Sequence, residues 1–437
     1  MKNEKKVLDK KLLIPFILVT SLFFAWGFAN DITNPMVKAF SKIFKMSVTE
    51  GALIQLAFYG GYFAMAFPAA IFIRKFSYKS GILMGLGLYA FGALMFIPAA
   101  KIGLYLPFLI AYFILTCGLS FLETTANPYI LSMGDPQTAT RRLNLSQSFN
   151  PMGSLLGMFC AMTFIQARLN PLDTAGRAQL SDAEFEAVKA ADLNVVIGPY
   201  VAVGLAVLAL FLIILFKKMP KNGEESSQDS AIAVVKRIFK IQKYREGVIA
   251  QFFYVGVQIM CWTFIIQYGT RIFINNGMEE LTAEVTSQRY NIVAMAIFCC
   301  SRFICTFLLK YIKAGKLLMW LAVAGGLFVC GVIGFQDIKG LYCLVAVSAC
   351  MSLMFPTIYG IALGGLGEDA KFGAAGLIMA ILGGSVLPPL QASIIDKGTI
   401  AGIPAVNVSF VLPLFCFVIV AVFGYRTYKV FNKQNQL

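Results

Sequence analysis

Three charged side chains stand inside otherwise apolar stretches of this sequence: Asp31, Glu123 and Arg302. A charge in an apolar environment is costly unless it faces water or a partner, so each position suggests a function. The two carboxyl groups could hold a proton near neutral pH and release it when water reaches them. The alternative for all three is a structural ion pair. Because the chain contains no histidine, carboxylates would carry any proton chemistry.

Glu123 lies in the segment LETTANPY, with Thr124, Thr125, Asn127 and Pro128 close by. A proline has no N–H to donate, so Pro128 frees a carbonyl one turn back and can bend the helix around a polar cavity. Hydroxyl and amide groups pair well with the hydroxyls of a neutral polyol such as a sugar. This stretch therefore predicts a proton site beside a binding site for a neutral sugar.

Polar residues in two other stretches suit the same cavity. One stretch is ANDITNP, early in the chain, and the other is LNLSQSFNPMG. In the second stretch, Asn144, Gln147 and either Ser148 or Asn150 can share one face by i, i+3, i+4 spacing.

A third polar cluster lies in QIMCWTFIIQYG, where Gln258 and Trp262 share a helical face and Tyr268 follows. An aromatic ring can lie against the apolar face of a sugar, although Trp262 could instead be a packing or interfacial residue. Glu123 and Asp31 are the predicted proton-coupling residues. The predicted substrate-binding residues are Glu123, Asn30, Asn34, Asn127, Gln147, Asn150, Gln258 and Trp262.

The elements that must hold these residues are membrane helices. The chain has 437 residues, of which 58% are hydrophobic and 14% charged, and its mean hydropathy is +0.75. Long apolar tracts recur throughout, and backbone groups in lipid must be satisfied within each segment, so an all-α integral membrane protein with twelve transmembrane helices is predicted. The predicted tracts are roughly 12–37, 50–73, 81–99, 104–132, 143–166, 195–216, 246–274, 285–309, 317–334, 340–364, 371–393 and 404–428.

Lysine and arginine crowd alternate connections between these tracts, which predicts that both termini are cytoplasmic in a multi-pass protein of the inner cell membrane. The first tract is too long for the core of a signal peptide and is interpreted as a retained helix. The formal net charge of +15 is scattered over short loops, so it indicates topology and disfavours a nucleic-acid partner.

The chain is predicted to be duplicated. Residues 1–216 would form an N-terminal six-helix half and residues 246–437 a C-terminal half, with 217–245 as a cytoplasmic linker whose part Ala231–Lys243 suits a helix on the membrane face. Matching motifs lie about half the chain apart: Phe23 and Phe252 are 229 positions apart, and Pro128 and Pro356 are 228 apart. Parallel six-helix repeats are typical of major facilitator transporters.

Other classes of site find little support in the sequence. Nearly all of the ten cysteines fall inside apolar tracts, and their spacing matches no metal or redox motif, which indicates packing residues. We find no nucleophile–base pair, and the loops are short, which disfavours an enzyme. No cofactor and no metal are expected, with the proton as the coupling ion.

Several strings resemble the fucose–galactose–glucose:proton symporter family of the major facilitator superfamily over nearly the whole chain. They include SLFFAWGFAN, GALIQLAFYGGYF, LETTANPY, RLNLSQSFNPMG, QFFYVGVQIMCW and ILGGSVLPP. The resemblance implies the major facilitator fold and import of a monosaccharide with a proton, with L-fucose or a related hexose as the first expectation and a monomer able to work. It also implies that Glu123 is the helix-four carboxylate linked to substrate and proton, and that Gln147 and Asn150 are the polar helix-five residues.

One position departs from the pattern of that family. Its helix-one aspartate corresponds to Asn34 here, while Asp31 stands three residues earlier. Residues i and i+3 share a helix face, so Asp31 could replace that aspartate, or Glu123 could be the sole proton site. The alternatives are a symporter or uniporter for galactose, glucose, mannose or an amino sugar, an exporter, or a membrane sugar sensor that does not transport.

Overall fold

Helices make up nearly all of the structure, a computed structural model that describes residues 8–33, 36–46, 53–172, 174–220 and 230–431. Within these ranges twelve helical segments are long and apolar enough to cross a membrane, which confirms the predicted fold class and number of spans. The α-helices are α1 Leu13–Thr33, α2 Met36–Ile43, α3 Leu53–Lys75, α4 Tyr78–Leu94, α5 Phe96–Ile102, α6 Tyr105–Ser132, α7 Ala139–Gln147, α8 Asn150–Cys160, α9 Thr174–Ala178, α10 Asp182–Phe216, α11 Ala231–Lys240, α12 Gln242–Asn275, α13 Glu280–Leu308, α14 Ala314–Gly334, α15 Ile338–Met351, α16 Met354–Leu363, α17 Ala370–Met379, α18 Gly383–Ile395, α19 Ala405–Ser409 and α20 Val411–Arg426. Strands β1 Thr399–Ile400 and β2 Ile403–Pro404 form a small antiparallel pair.

The largest error in the predicted boundaries concerns the sixth span, which starts at Asp182 rather than near residue 195. Ser181 and Glu184 form a capping box: the Ser181 hydroxyl accepts from the Glu184 N–H, and the Glu184 carboxylate accepts from the Ser181 N–H. This arrangement satisfies orphan N–H groups at the helix start and stabilises charged turns that the apolar pattern leaves out. Much of the predicted loop 167–194 is therefore helical.

The described residues group into two compact units. One comprises the described parts of Asp9–Met133 and Phe149–Ser227, called the N unit here, and the other those of Gly134–Ser148 and Gln228–Leu437, called the C unit. Residues 134–148, including α7, thus belong with the C unit although they fall inside the predicted half 1–216. The predicted domain boundaries remain a prediction.

Glycines permit the closest helix contacts in both units. In the N unit, a Cβ atom on Gly153 of α8 would lie 2.0 Å from the carbonyl oxygen of Phe24 in α1. In the C unit, a Cβ atom on Gly383 of α18 would lie 2.0 Å from the carbonyl oxygen of Phe252 in α12. Small residues let helix backbones approach in this way. The two crossings lie at equivalent places of the predicted repeat.

Gly153→Ala should destabilise the protein, whereas Gly198→Ala should not. The added methyl at Gly153 must push α1 and α8 apart, and overpacking of this kind typically costs about 1–3 kcal/mol. A Cβ atom on Gly198 of α10 would meet nothing within 4 Å, so this variant is a matched helical control. Thermal unfolding of the purified variants in detergent measures the difference. Equal melting temperatures for both variants would contradict the proposed contact.

The predicted linker helix is present as α11, which ends at Lys240 rather than Lys243. Its buried residues Val234 and Ile238 face the C unit. Arg237 donates from Nε and Nη2 to the two carboxylate oxygens of Asp369, each at 2.8 Å. This bidentate pair positions the helix beside the turn Gly367–Asp369. Its predicted position on the membrane face stays a prediction.

Candidate functional site

Glu123 lies in the middle of α6 and is only 5% exposed. Its carboxylate accepts a hydrogen bond of 3.0 Å from the hydroxyl of Tyr62 in α3. Among the described residues, no lysine or arginine forms an ion pair with Glu123. The structural ion pair considered from the sequence is therefore not found for Glu123 within the part of the chain that the structure describes.

The residues around Glu123 hold α6 and α3 together. Ser120 donates to the backbone oxygen of Tyr62 at 3.0 Å, which fixes the turn that carries the Tyr62 hydroxyl. Asn127 stands one turn after Glu123, as predicted, but its amide nitrogen donates to the backbone oxygen of Glu123 at 2.9 Å. Thr124 Oγ1 is buried and has no partner among the described residues. Part of the predicted polar cluster therefore forms hydrogen bonds within α6 itself.

Asp31 lies near the C-terminal end of α1 and acts electrostatically on the phenol of Tyr59 in α3. Tyr59 and Tyr62 stand three residues apart on α3, and the two phenols also interact electrostatically. Residues at this spacing lie on neighbouring turns of one helix face. Tyr62 is hydrogen-bonded to Glu123, and Tyr59, one turn earlier on α3, is the tyrosine on which Asp31 acts electrostatically.

The remaining predicted residues of the N unit differ in their environments. The Asn30 side-chain oxygen is buried and has no partner among the described residues, so it could accept from a ligand hydroxyl. Asn34 lies outside the described residues. The Asn150 amide nitrogen donates to the backbone oxygen of Phe23 at 3.2 Å, which ties α8 to α1. Asn150 thus has a structural contact besides its predicted role in binding.

Gln147 and Asn150 lie on either side of a short interruption within the fifth span, so their shared face stays a prediction. Gln147 ends α7, and Asn150 begins α8. The physical reason is Pro151, which has no N–H to donate to the carbonyl of Gln147 four residues earlier. That carbonyl instead accepts from Arg302 Nη1 at 3.0 Å. The Asn144 amide nitrogen donates to Thr357 Oγ1 at 3.1 Å, within the C unit.

In the C unit, Trp262 is held from two sides. Its indole N–H donates to Ser348 Oγ at 3.2 Å, and its ring meets Phe298 edge to face, with 4.9 Å between the ring centroids. Gln258, one turn earlier on α12, is half-buried, and its side chain has no recorded partner among the described residues. Tyr268 donates to the backbone oxygens of Val332 and Phe335, so its role is structural.

Two tyrosines of the candidate site were missed at the level of sequence. Tyr59 and Tyr62 belong to the apolar string AFYGGYF, where tyrosine is usually a packing residue. Their spacing of three was a signal, because two hydroxyls on one face of a membrane helix need polar partners. Which partners they have depends on the packing of α3 against α6.

A groove of about 1070 Å³ in the N unit lies elsewhere and is bounded by α1, the fifth span and α10. Its lining is mostly apolar and includes neither Glu123 nor Asp31. This groove is therefore separate from the candidate proton site.

Comparison with known proteins places the chain in a family. Residues 18–388 match the family model of the Major Facilitator Superfamily. The chain belongs to this superfamily. It is 55% identical to the L-fucose-proton symporter of Haemophilus influenzae over 431 residues, which are 97% of this chain and 99% of the relative. It is 30% identical to a glucose/galactose transporter of Brucella abortus, over 93% of this chain and 92% of the relative.

A solved structure of a major facilitator transporter, FucP, in the outward conformation is similar to this chain. The TM-score is 0.86 at 32% identity, and the match covers 96% of this chain and 99% of that one. These relatives are transporters, which confirms that this member of the superfamily is a transporter rather than an enzyme, and a multi-pass membrane protein.

Tyr62→Phe should shift the pH dependence of sugar exchange in this major facilitator without unfolding it. In the unaltered protein the hydrogen bond from Tyr62 stabilises ionised Glu123 by about 1.5–3 kcal/mol, equivalent to about one pH unit or more. Phenylalanine has no hydroxyl and cannot make this bond. Without it, Glu123 keeps its proton to higher pH, so the pH at which exchange falls by half should rise. The measurement is sugar counterflow in proteoliposomes between pH 5 and 9.

The control for this substitution is Tyr200→Phe, which removes another buried hydroxyl of the N unit. Tyr200 shares a hydrogen bond of 2.7 Å with Tyr112, which stands eleven positions before Glu123 on α6. Its pH profile should match that of the unaltered protein. Identical profiles for all three proteins would show that Tyr62 does not influence proton exchange at Glu123.

Proposed function

We propose that this transporter imports L-fucose or a closely related neutral hexose together with a proton. The observation that carries the proton coupling is the setting of Glu123, which is buried and bonded to a phenol rather than to a cation. The sugar is supported by 55% identity to an L-fucose-proton symporter over nearly the full length of both proteins.

In the proposed cycle, Glu123 carries the coupling proton. When protonated, its carboxyl group is neutral and suits a weakly hydrated site; when ionised, it accepts the Tyr62 hydrogen bond. Asp31, Tyr59 and Tyr62 provide hydroxyl and carboxyl groups through which a proton can reach or leave Glu123. Release of the proton after sugar entry then favours the return of the empty carrier.

The polar groups proposed to bind the sugar are considered for each unit by itself. In the N unit, the buried side-chain oxygen of Asn30 has no partner among the described residues, and in the C unit Gln258 has a half-buried amide. Trp262 has one fixed orientation, set by Ser348 and Phe298, in which its ring can lie against the apolar face of a hexose. Neutral donors and acceptors of this kind match sugar hydroxyls without demanding a charged substrate.

The remaining parts of the proposal concern the setting of the protein. We place it in the cytoplasmic membrane with both termini in the cytoplasm, on the distribution of basic residues among the connections. Transport by alternating access needs no cofactor, since the proton gradient drives it. A monomer is sufficient in this scheme.

A second candidate is transport of glucose or galactose, favoured by the 30% identical glucose/galactose transporter. A uniporter for one of these sugars and a sensor that binds without transport are further alternatives. Competition among L-fucose, galactose, glucose, mannose and N-acetylglucosamine separates the sugars. Counterflow separates a carrier from a sensor, because only a carrier exchanges labelled for unlabelled sugar.

The decisive experiment is uptake of labelled L-fucose by proteoliposomes with an imposed pH gradient, acidic outside. We expect accumulation that collapses when a protonophore is added. Uptake that ignores the protonophore would refute proton coupling, and uptake of another hexose alone would refute the choice of sugar.

A further inference from the structure

Arg302 is a buried cation whose recorded hydrogen bonds go to backbone oxygens. It lies in the last third of α13 and is 3% exposed. Among the described residues no acidic side chain forms an ion pair with it, so the structural ion pair considered from the sequence is not present there. Its partners are backbone oxygens: Nε donates to Ser352 at 2.5 Å, and Nη1 donates to Gln147 at 3.0 Å.

At both of these carbonyl groups a proline replaces the residue that would donate the regular helical hydrogen bond. Pro151 follows Gln147 by four residues, and Pro356 follows Ser352 by four, so in each case the usual helical N–H donor is missing. The helices are interrupted at both places: α7 ends at Gln147, and α15 ends just before Ser352. Inside a membrane no bulk water replaces the missing donor, so another protein group must do so. Arg302 satisfies both carbonyls with one side chain.

The same arginine is linked to Trp262 by two routes. Its guanidinium lies over the ring of Phe298, 4.5 Å from the centroid, and Phe298 meets the Trp262 ring edge to face. In addition, Ser348, which accepts from the Trp262 indole, stands one turn before Ser352 on the same span. Arg302 therefore contacts the backbone of Gln147 directly, and it contacts Phe298, which packs against Trp262. Gln147 and Trp262 are both predicted substrate-binding residues.

We propose that Arg302 is a positioning residue for the sugar site: by capping the carbonyls of Gln147 and Ser352 and packing on Phe298, it sets the orientation of Gln147 and Trp262. The proposal rests on the proposed function as far as the sugar is concerned. The planar guanidinium suits this role because its Nε and Nη1 donors point in fixed, diverging directions, whereas a lysine presents a single point charge. Arg302 stays protonated throughout and exchanges no proton itself.

The test uses full-length protein in which Trp262 is the only tryptophan, obtained by Trp26→Phe and Trp320→Phe, since the chain has three tryptophans. Arg302→Met and Arg302→Lys are compared with the control Arg289→Met, an exposed arginine of the same helix. Two quantities are measured: acrylamide quenching of Trp262 without sugar, and the Kd for L-fucose.

We expect Arg302→Met to change the quenching of Trp262 in the absence of sugar and to weaken L-fucose binding by about tenfold, the value of one charge-assisted hydrogen bond. Arg302→Lys should lie between Arg302→Met and the unaltered protein in both measurements, and Arg289→Met should match the unaltered protein. If Arg302→Met does not fold, the quenching and the Kd of Arg302→Lys test the proposal without it.

Folded Arg302 variants with unaltered quenching of Trp262 and unaltered affinity would overturn the positioning role. The failure of the proposed function looks different: the unaltered protein would bind no L-fucose. In that case the quenching measured without sugar still decides whether Arg302 orients Trp262.

Discussion

Replacing Glu123 with glutamine should abolish accumulation of sugar against its gradient while sugar exchange continues. Glutamine keeps the size and much of the hydrogen-bonding capacity of the side chain but cannot gain or lose a proton at neutral pH. The Tyr62 hydroxyl can still donate to the amide oxygen at this position. A carrier without a titrating group cannot use the pH gradient, so the ratio of internal to external sugar should fall to about one.

The measurement compares two assays on the same proteoliposomes: uptake driven by a pH gradient, and counterflow with equal pH on both sides. Glu246→Gln is the control, because Glu246 is a partly exposed carboxylate of α12 that is paired with Arg426 at 2.9 Å. It should retain accumulation. Accumulation by the Glu123→Gln variant would remove Glu123 from the coupling mechanism, and loss of counterflow as well would assign it a role in sugar binding.

Asp31→Asn should reduce proton-driven uptake by about a hundredfold or more, the lower end of the usual scale for loss of an acid–base group. Asp31 acts on Tyr59, which stands one turn from Tyr62, the partner of Glu123. Removing this carboxylate would interrupt the route by which a proton reaches Glu123, so uptake rates should fall more than the affinity for sugar. Initial rates of uptake over a range of sugar concentrations separate these two effects.

A second substitution asks whether the exact position of this acid matters. Asn34 occupies the position where the resembling family has its helix-one aspartate, three positions after Asp31 in the sequence. In the double variant Asp31→Asn, Asn34→Asp, uptake should recover in part if an acid at either position suffices. Unchanged uptake in Asp31→Asn alone would leave Glu123 as the sole proton site.

The positions of the helices could be predicted from the sequence with small errors. Hydropathy and length are properties of each segment by itself, and lipid demands that each segment satisfies its own backbone groups. The main error, at the start of α10, arose because polar turns stabilised by the Ser181 capping box carry no apolar signal. The close approach of α8 to α1 and of α18 to α12 depends on glycines whose partners the sequence does not name.

The residues of the candidate site were predicted from the sequence, and the structure showed which partners each of them has. Glu123 accepts a hydrogen bond from Tyr62, which was not singled out in the sequence, and Asn150 donates to the backbone of α1. Gln147 was assigned to a regular helix, although Pro151 was visible in the sequence and its missing N–H interrupts the helix there.

The sequence by itself determined that this is a twelve-span membrane protein with a carboxylate in an apolar helix, because such features depend on residue type and local order alone. Only the tertiary structure decided the hydrogen-bond partners of the buried charged residues. The Tyr62 hydroxyl reaches Glu123 across 61 positions of the chain, and Arg302 reaches Gln147 across 155. These pairings depend on which helix faces meet, and that depends on close packing among all the helices at once rather than on any one segment.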